Sequence, residues 1–159
     1  MSEPAVLLLL ALTPVLVASA ISDLRFLKIP NTHVLLALGL FVAAAPFTLD
    51  WPELYPRLIA AGITFAIGFT LFALRLIGGG DVKMMPVVLL FIPPPDVVLY
   101  LRFFAVALVF VCLFALVLQT APVFRNLGWE SARHRRHVPV GVAMAASALL
   151  LIAMRVWPS

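Results

Sequence analysis

The chain has 159 residues, 64% of them hydrophobic and 11% charged, with a mean hydropathy of +1.16, a formal net charge of +4 and a pI near 10.0. Ordinary soluble domains carry about 25% charged residues, so this composition excludes one, and the length excludes two sizeable domains. The basic residues are scattered over short connections with no aromatic-interleaved basic face, which excludes a nucleic-acid partner, and the single cysteine, Cys112, excludes an internal disulfide and a CxxC zinc module.

The predicted fold is an all-α membrane protein, one transmembrane domain over residues 1–159 built as a bundle of six spanning helices at about 4–22, 32–49, 58–74, 82–95, 98–121 and 138–156. The first uncharged run, Pro4 to Ser22, follows "MSEP" without a basic n-region or a small-x-small cleavage site, and is expected to be a retained helix. Asn31 and Thr32, after Pro30, can cap the second helix at its start, and Pro52 and Pro56 are expected to break the chain before the third run, Leu58 to Leu74. The fourth run, "MMPVVLLFIPPP" from Met84 to Pro95, is short and closed by three prolines. It reads either as a re-entrant segment or as a helix that starts below the membrane surface, after the glycines that precede it. Cys112 is expected to be a small buried hydrophobe in the fifth run, and the sixth spans Val138 to Met154. Trp51, Trp129 and Trp157 fall at predicted helix ends, as interfacial anchors do.

Lysine and arginine choose between the two readings of the fourth run, because loops retained in the cytoplasm are enriched in both. If that run crosses, one face holds Arg25, Lys28, Arg75, Lys83, Arg125, Arg133, Arg135 and Arg136, while the other holds Arg57, Arg102 and Arg155 with Glu3, Asp50, Glu53 and Asp96. Six crossings, with both termini outside the cytoplasm and three cytoplasmic loops, follow from that asymmetry.

In this topology Asp23, at the end of the first helix in "ASAISDLRFLKIPN", and Asp81, in "GGGDVKMM" at the start of the fourth, lie at the same cytoplasmic boundary although 58 positions separate them. Ionisable groups at such depth are costly and need a reason. Singly, Asp23 can be an interfacial charge beside Arg25 and Lys28, and Asp81 an N-cap behind a glycine turn. Together they can form a dyad that shares one proton and titrates as a unit. Such a pair supports peptide hydrolysis: the ionised member takes a proton from water, and the protonated member donates first to the carbonyl oxygen and then assists departure of the amine. Gly78, Gly79 and Gly80 let the backbone turn sharply and approach an extended substrate. Lys83 can bias the pair electrostatically or snorkel to the interface, and the second is expected.

These motifs resemble a known family. "GGGDVKMM" is similar to the GxGD signature of membrane aspartic peptidases, and "DLRFLKIPN", Asp23 to Asn31, resembles the first-aspartate motif of type IV prepilin peptidases. "VPVGVAMAASALL", Val138 to Leu150, resembles the last helix of the short prepilin peptidases that serve Flp, or tight-adherence, pili, although Val140 and Ser147 stand where an aromatic and a glycine are expected. The resemblance implies an aspartic endopeptidase that removes the short basic leader from prepilins and pseudopilins at the cytoplasmic face of the bacterial inner membrane. It implies Asp23 and Asp81 as the catalytic pair, with Gly78, Gly79, Gly80, Lys83, Pro30 and Asn31 in the loops beside them, and no metal or other cofactor. Without the paired-CxxC domain of the long forms, cleavage without N-methylation is expected. The implied partners are a prepilin whose hydrophobic N-terminal helix lies in the bilayer, and the bilayer itself.

His134 and His137 in "RHRRH" are spaced like metal ligands, but no cysteine or carboxylate completes a set, and a basic anchor toward anionic lipid is the expected role. His33 is expected to be an interfacial polar residue. The rival from another class is a non-catalytic membrane subunit or small cation or proton transporter, whose intramembrane carboxylates bind ions.

Overall fold

The computed structural model describes residues 3–120 and 138–156, with side chains for 6–117 and 138–156. Among them the chain forms α1 (Glu3–Phe26), α2 (Asn31–Thr48), α3 (Trp51–Ala73), α4 (Gly79–Phe91), a single 3-10 turn (Pro94–Asp96), α5 (Val97–Thr120) and α6 (Val140–Val156). Four stretches, Val6–Phe26, Asn31–Thr48, Trp51–Ala73 and Pro94–Val117, are long and apolar enough to cross a membrane. Their outward faces carry large side chains such as Leu35, Phe47, Phe69 and Phe110, a surface that water would not tolerate on a monomer and lipid does. This is an all-helical membrane protein. The two remaining helices are shorter, α6 with 17 residues and α4 with 13.

The shortest helix occupies the middle. Val82, Met84 and every residue from Pro86 to Phe91 are buried, as a helix apolar on all sides requires. Helices α3, α2, α1 and α6 pack around α4; α1 also lies along α2 and α6, and α5 lies along the outer side of α6. Leu9, Leu12, Phe41, Met84, Phe91, Met144 and Leu151 fill the common core, with the Phe41 and Phe91 rings edge to face at 5.3 Å. Cys112 is exposed on the outer face of α5 instead of buried, because α5 meets the bundle through Ala107, Val111 and Ala115 one turn apart.

Helix boundaries differ from the sequence reading where proline is involved. Pro52 and Pro56 do not break the chain; both lie inside α3, whose start at Trp51 precedes the expected one. Pro52, in the first turn, forgoes only an N–H that has no helical partner there, whereas Pro56 lies inside the helix and gives up one bond of its ladder. Asn31 is the first helical residue of α2, and no side chain caps that helix: Pro30 is its N-cap, with its carbonyl accepting the His33 N–H at 3.1 Å. His33 ties α2 to α1 through a 3.1 Å contact between Nδ1 and the Ser19 hydroxyl. The same hydroxyl lies 2.8 Å from the Val15 carbonyl of its own helix.

Two chain reversals use residues other than glycine. Leu27 has φ 48° and Arg75 φ 59°. After α1 the Leu27 N–H bonds the Asp23 carbonyl at 2.9 Å, and after α3 the Leu76 N–H reaches the Leu71 carbonyl at 3.0 Å; both are left-handed helix endings usually made by glycine.

Candidate active site

The first two sequence motifs meet at one end of the bundle. Asp23 is in the last turn of α1 and buried, 5% exposed. Its Oδ2 accepts the backbone N–H of Gly141 at 2.6 Å, in a buried hydrogen bond across 118 positions of sequence. Gly141 is the second residue of α6, so Asp23 sits on the positive end of that helix, where unsatisfied N–H groups favour an anion. A Cβ at Gly141 would lie 3.0 Å from that oxygen and 3.2 Å from both the Asp23 Cβ and the Ile29 Cδ1. The missing side chain is therefore what lets α6 come down onto Asp23. Gly141 was no part of the expected site; its signal was the glycine of the third resembling segment.

Asp81 is half-buried in the first turn of α4, three residues after the N-cap Gly78. It is not the N-cap, but its carboxylate lies against Gly78, with Oδ2 3.0 Å from where a Cβ of that residue would be. This is the geometry of a side chain at the third helical position reaching back to the cap. The Gly80 position explains the join between the motifs: a Cβ there would stand 3.0 Å from the Ile29 Cβ, 3.2 Å from its carbonyl oxygen and 3.3 Å from its nitrogen. Gly79 lies under the Phe72 ring, 3.2 Å from where its Cβ would be. The Gly78 φ is −75°, and among these three none takes the positive φ that a sharp glycine turn would need. They serve close approach instead, with the reversal left to Arg75.

Lys83 turns to the first motif: its Nζ donates to the Asn31 Oδ1 at 3.1 Å. Ser22 likewise donates to the Lys28 carbonyl at 2.8 Å. The segment from Asp23 to Asn31 is thus pinned to its own helix and to α4. Pro30 stays out of the cavity walls and sets the start of α2.

Asp23 and Asp81 line two cavities in common. One, of about 400 Å³, is walled by Leu27, Arg75, Ile77 and Val140; the other, of about 280 Å³, by Lys28, Asn31, Lys83 and the three glycines. The negative charge of Asp23 bears on Asp81. A third cavity, about 300 Å³ and almost wholly apolar, runs from Asp81 along Gly68, Leu71, Val82 and Met85 toward Phe104 and Met144. Two carboxyl groups held at a water-reachable opening, with an apolar groove leading from one of them, are equipped to activate a water beside an apolar chain. Among the described residues no three His, Cys, Asp or Glu side chains cluster as a metal site would need. The RHRRH segment with His134 and His137, together with Arg125, Trp129 and Trp157, lies outside the described residues.

No curated protein and no solved structure matches the chain. The model of the type IV leader peptidase family matches residues 10–121, from within α1 to just past α5, and so takes in Asp23, the three glycines, Asp81 and Lys83. With most of its length matched and its two motifs folded against each other, the chain belongs to the type IV leader peptidase family.

Proposed function

We propose that this protein is a membrane aspartic endopeptidase that cuts the short basic leader from Flp-type type IV prepilins and pseudopilins, with Asp23 and Asp81 as the catalytic pair. The observation that carries the reading is the meeting of these two aspartates at shared cavities, from opposite halves of the matched region. One carboxylate takes a proton from a water in the cavity, the water attacks the scissile carbonyl, and the other carboxyl donates to the carbonyl oxygen. Collapse of the tetrahedral intermediate returns a proton to the departing amine. The protein supplies the positions: Gly141 holds Asp23, and Gly78 and Gly80 hold Asp81 against the first motif.

The substrate class fits the surroundings. A prepilin carries a basic leader followed by an apolar helix, and the apolar cavity that begins at Asp81 offers that helix a wall within the bilayer. The end of the bundle that holds Asp23 and Asp81 also holds Arg25, Lys28, Arg75 and Lys83, which favours the cytoplasmic side of the bacterial inner membrane for the site and the opposite side for both termini. The six helices act as one domain in this reading, all serving to hold the two motifs.

The test is co-expression of an epitope-tagged Flp-type prepilin with the wild type, Asp23→Asn and Asp81→Asn in a host lacking its own prepilin peptidase. Shortening by the wild type, and none by either variant at equal membrane level, is the expected result. Cutting by both variants refutes the dyad. The transporter alternative requires that the wild type leave the prepilin uncut.

A further inference from the structure

At the end of the bundle away from the aspartates a second set of charges is buried. Arg57 is 1% exposed and its side chain reaches no solvent at all. This is not a snorkelling arginine, whose head would emerge into water. Its Nη1 donates to the Leu90 backbone carbonyl at 3.0 Å, and its Nη2 stands 3.8 Å from the Glu53 carboxylate one turn earlier in α3. The charges of Glu53 and Asp96 both bear on the guanidinium. Asp96, itself 2% exposed, pairs with Arg155 at the end of α6.

The Leu90 carbonyl needs an outside donor for a reason written in the sequence. In a continuing helix it would accept the N–H of residue 94, and its neighbours Leu89 and Phe91 those of residues 93 and 95. All three of those residues are prolines and have no N–H to give. The Leu89 carbonyl recovers a partner through the tighter bond from Ile92 at 3.2 Å; Leu90 takes Arg57. With 13 residues, α4 is about 20 Å long, well short of the roughly 30 Å hydrocarbon core. A helix that ends at such depth exposes carbonyls where no water can satisfy them.

We propose that Arg57 is a positioning residue for the peptidase: by ending α4 inside the membrane it sets the axial height of that helix, and thereby holds Asp81, at the helix's other end, level with Asp23. Glu53 flanks the guanidinium and the charge of Asp96 acts on it from farther off, while Arg155 links Asp96 to the helix that also carries Gly141. The bundle thus grips α4 at both ends, by glycine contacts near the aspartates and by charge at the far end. The inference rests on the peptidase reading for its kinetic readout only.

Arg57→Gln, which keeps a donor but loses the reach and charge, and Arg57→Lys, which keeps the charge, test it in purified protein against a prepilin substrate, alongside amide hydrogen exchange. Expected for folded Arg57→Gln is a kcat at least roughly fivefold lower, since misplacement by about 1 Å costs on the order of a hundredfold. KM should stay within about twofold, because the substrate is not touched. Exchange should quicken in the second half of α4 and not in α1 or α6, and Arg57→Lys should recover most of both. An unchanged kcat, a change confined to KM, or exchange raised evenly over all helices overturns the proposal. Should the Arg57 variants fail to fold, Asp96→Asn, which leaves Arg57 in place but withdraws a supporting charge, decides: a reduced kcat with faster exchange in α4 supports it, and neither change overturns it. If the wild type cuts no prepilin, the peptidase reading fails, and local loosening of α4 in the exchange data alone upholds or overturns the positioning role.

Discussion

Adding one methyl group at Gly80 is expected to separate catalytic geometry from stability. The new Cβ of Gly80→Ala would meet Ile29 at 3.0, 3.2 and 3.3 Å, two of these three contacts being with backbone atoms that cannot swing aside. Ordinary carbon contacts sit near 3.5–4.0 Å, so the first turn of α4 must retreat from the first motif by roughly half an ångström. Overpacking of this kind costs about 1–3 kcal/mol, while replacing a helical glycine with alanine returns up to about 1 kcal/mol. Net destabilisation of about 0–3 kcal/mol is therefore expected, tolerable for a folded bundle. The catalytic loss should be larger: with about a hundredfold per ångström of misplacement, half an ångström gives roughly tenfold. The assay is a cleavage time course with purified protein and prepilin, paired with thermal unfolding of the same preparations. Gly62→Ala is the control, because nothing lies within 4 Å of its added Cβ; it should match the wild type in rate and equal or exceed it in stability. Cleavage by folded Gly80→Ala within twofold of the wild type would refute the claim that contact between Gly80 and Ile29 sets the spacing of the aspartates.

Three further outcomes follow from the same geometry. Gly141→Ala, which crowds both the Asp23 Oδ2 and its Cβ, should cut cleavage at least roughly tenfold while the protein still reaches the membrane; undiminished cleavage would show that the Gly141 N–H does not hold Asp23. Arg75 is exposed at φ 59°, so Arg75→Gly should raise stability by about 1 kcal/mol in thermal unfolding through release of left-handed strain, and a drop would mean that the reversal after α3 depends on the arginine side chain. Lys83→Met and Asn31→Ala, measured singly and together, should couple by about 0.5–1 kcal/mol, the worth of one exposed hydrogen bond; strict additivity would show that the Lys83–Asn31 bond contributes nothing in solution.

Composition and motif spacing determined a good deal by themselves. Long uncharged runs dictate spanning helices, because a backbone in lipid must bond to itself, and the fourth run does hold a short helix, although it starts at Gly79 and ends at Phe91, before the three prolines that were expected to close it. The two aspartates were legible as well, since charge is so scarce in this chain that its placement carries information. Tertiary structure alone decided what holds them. Asp23 is fixed by a backbone N–H from a residue 118 positions away, and a backbone donor leaves no side-chain signature in sequence. Gly80 reads as a turn former and proves to be a contact surface, because a glycine records an absence whose reason is whatever packs against it. Arg57 reads as a loop charge, one of three basic residues on the far side, and proves to be buried. Its partner is a main-chain carbonyl left open by three prolines, and only the packing of α3 against α4 brings that donor and that acceptor together.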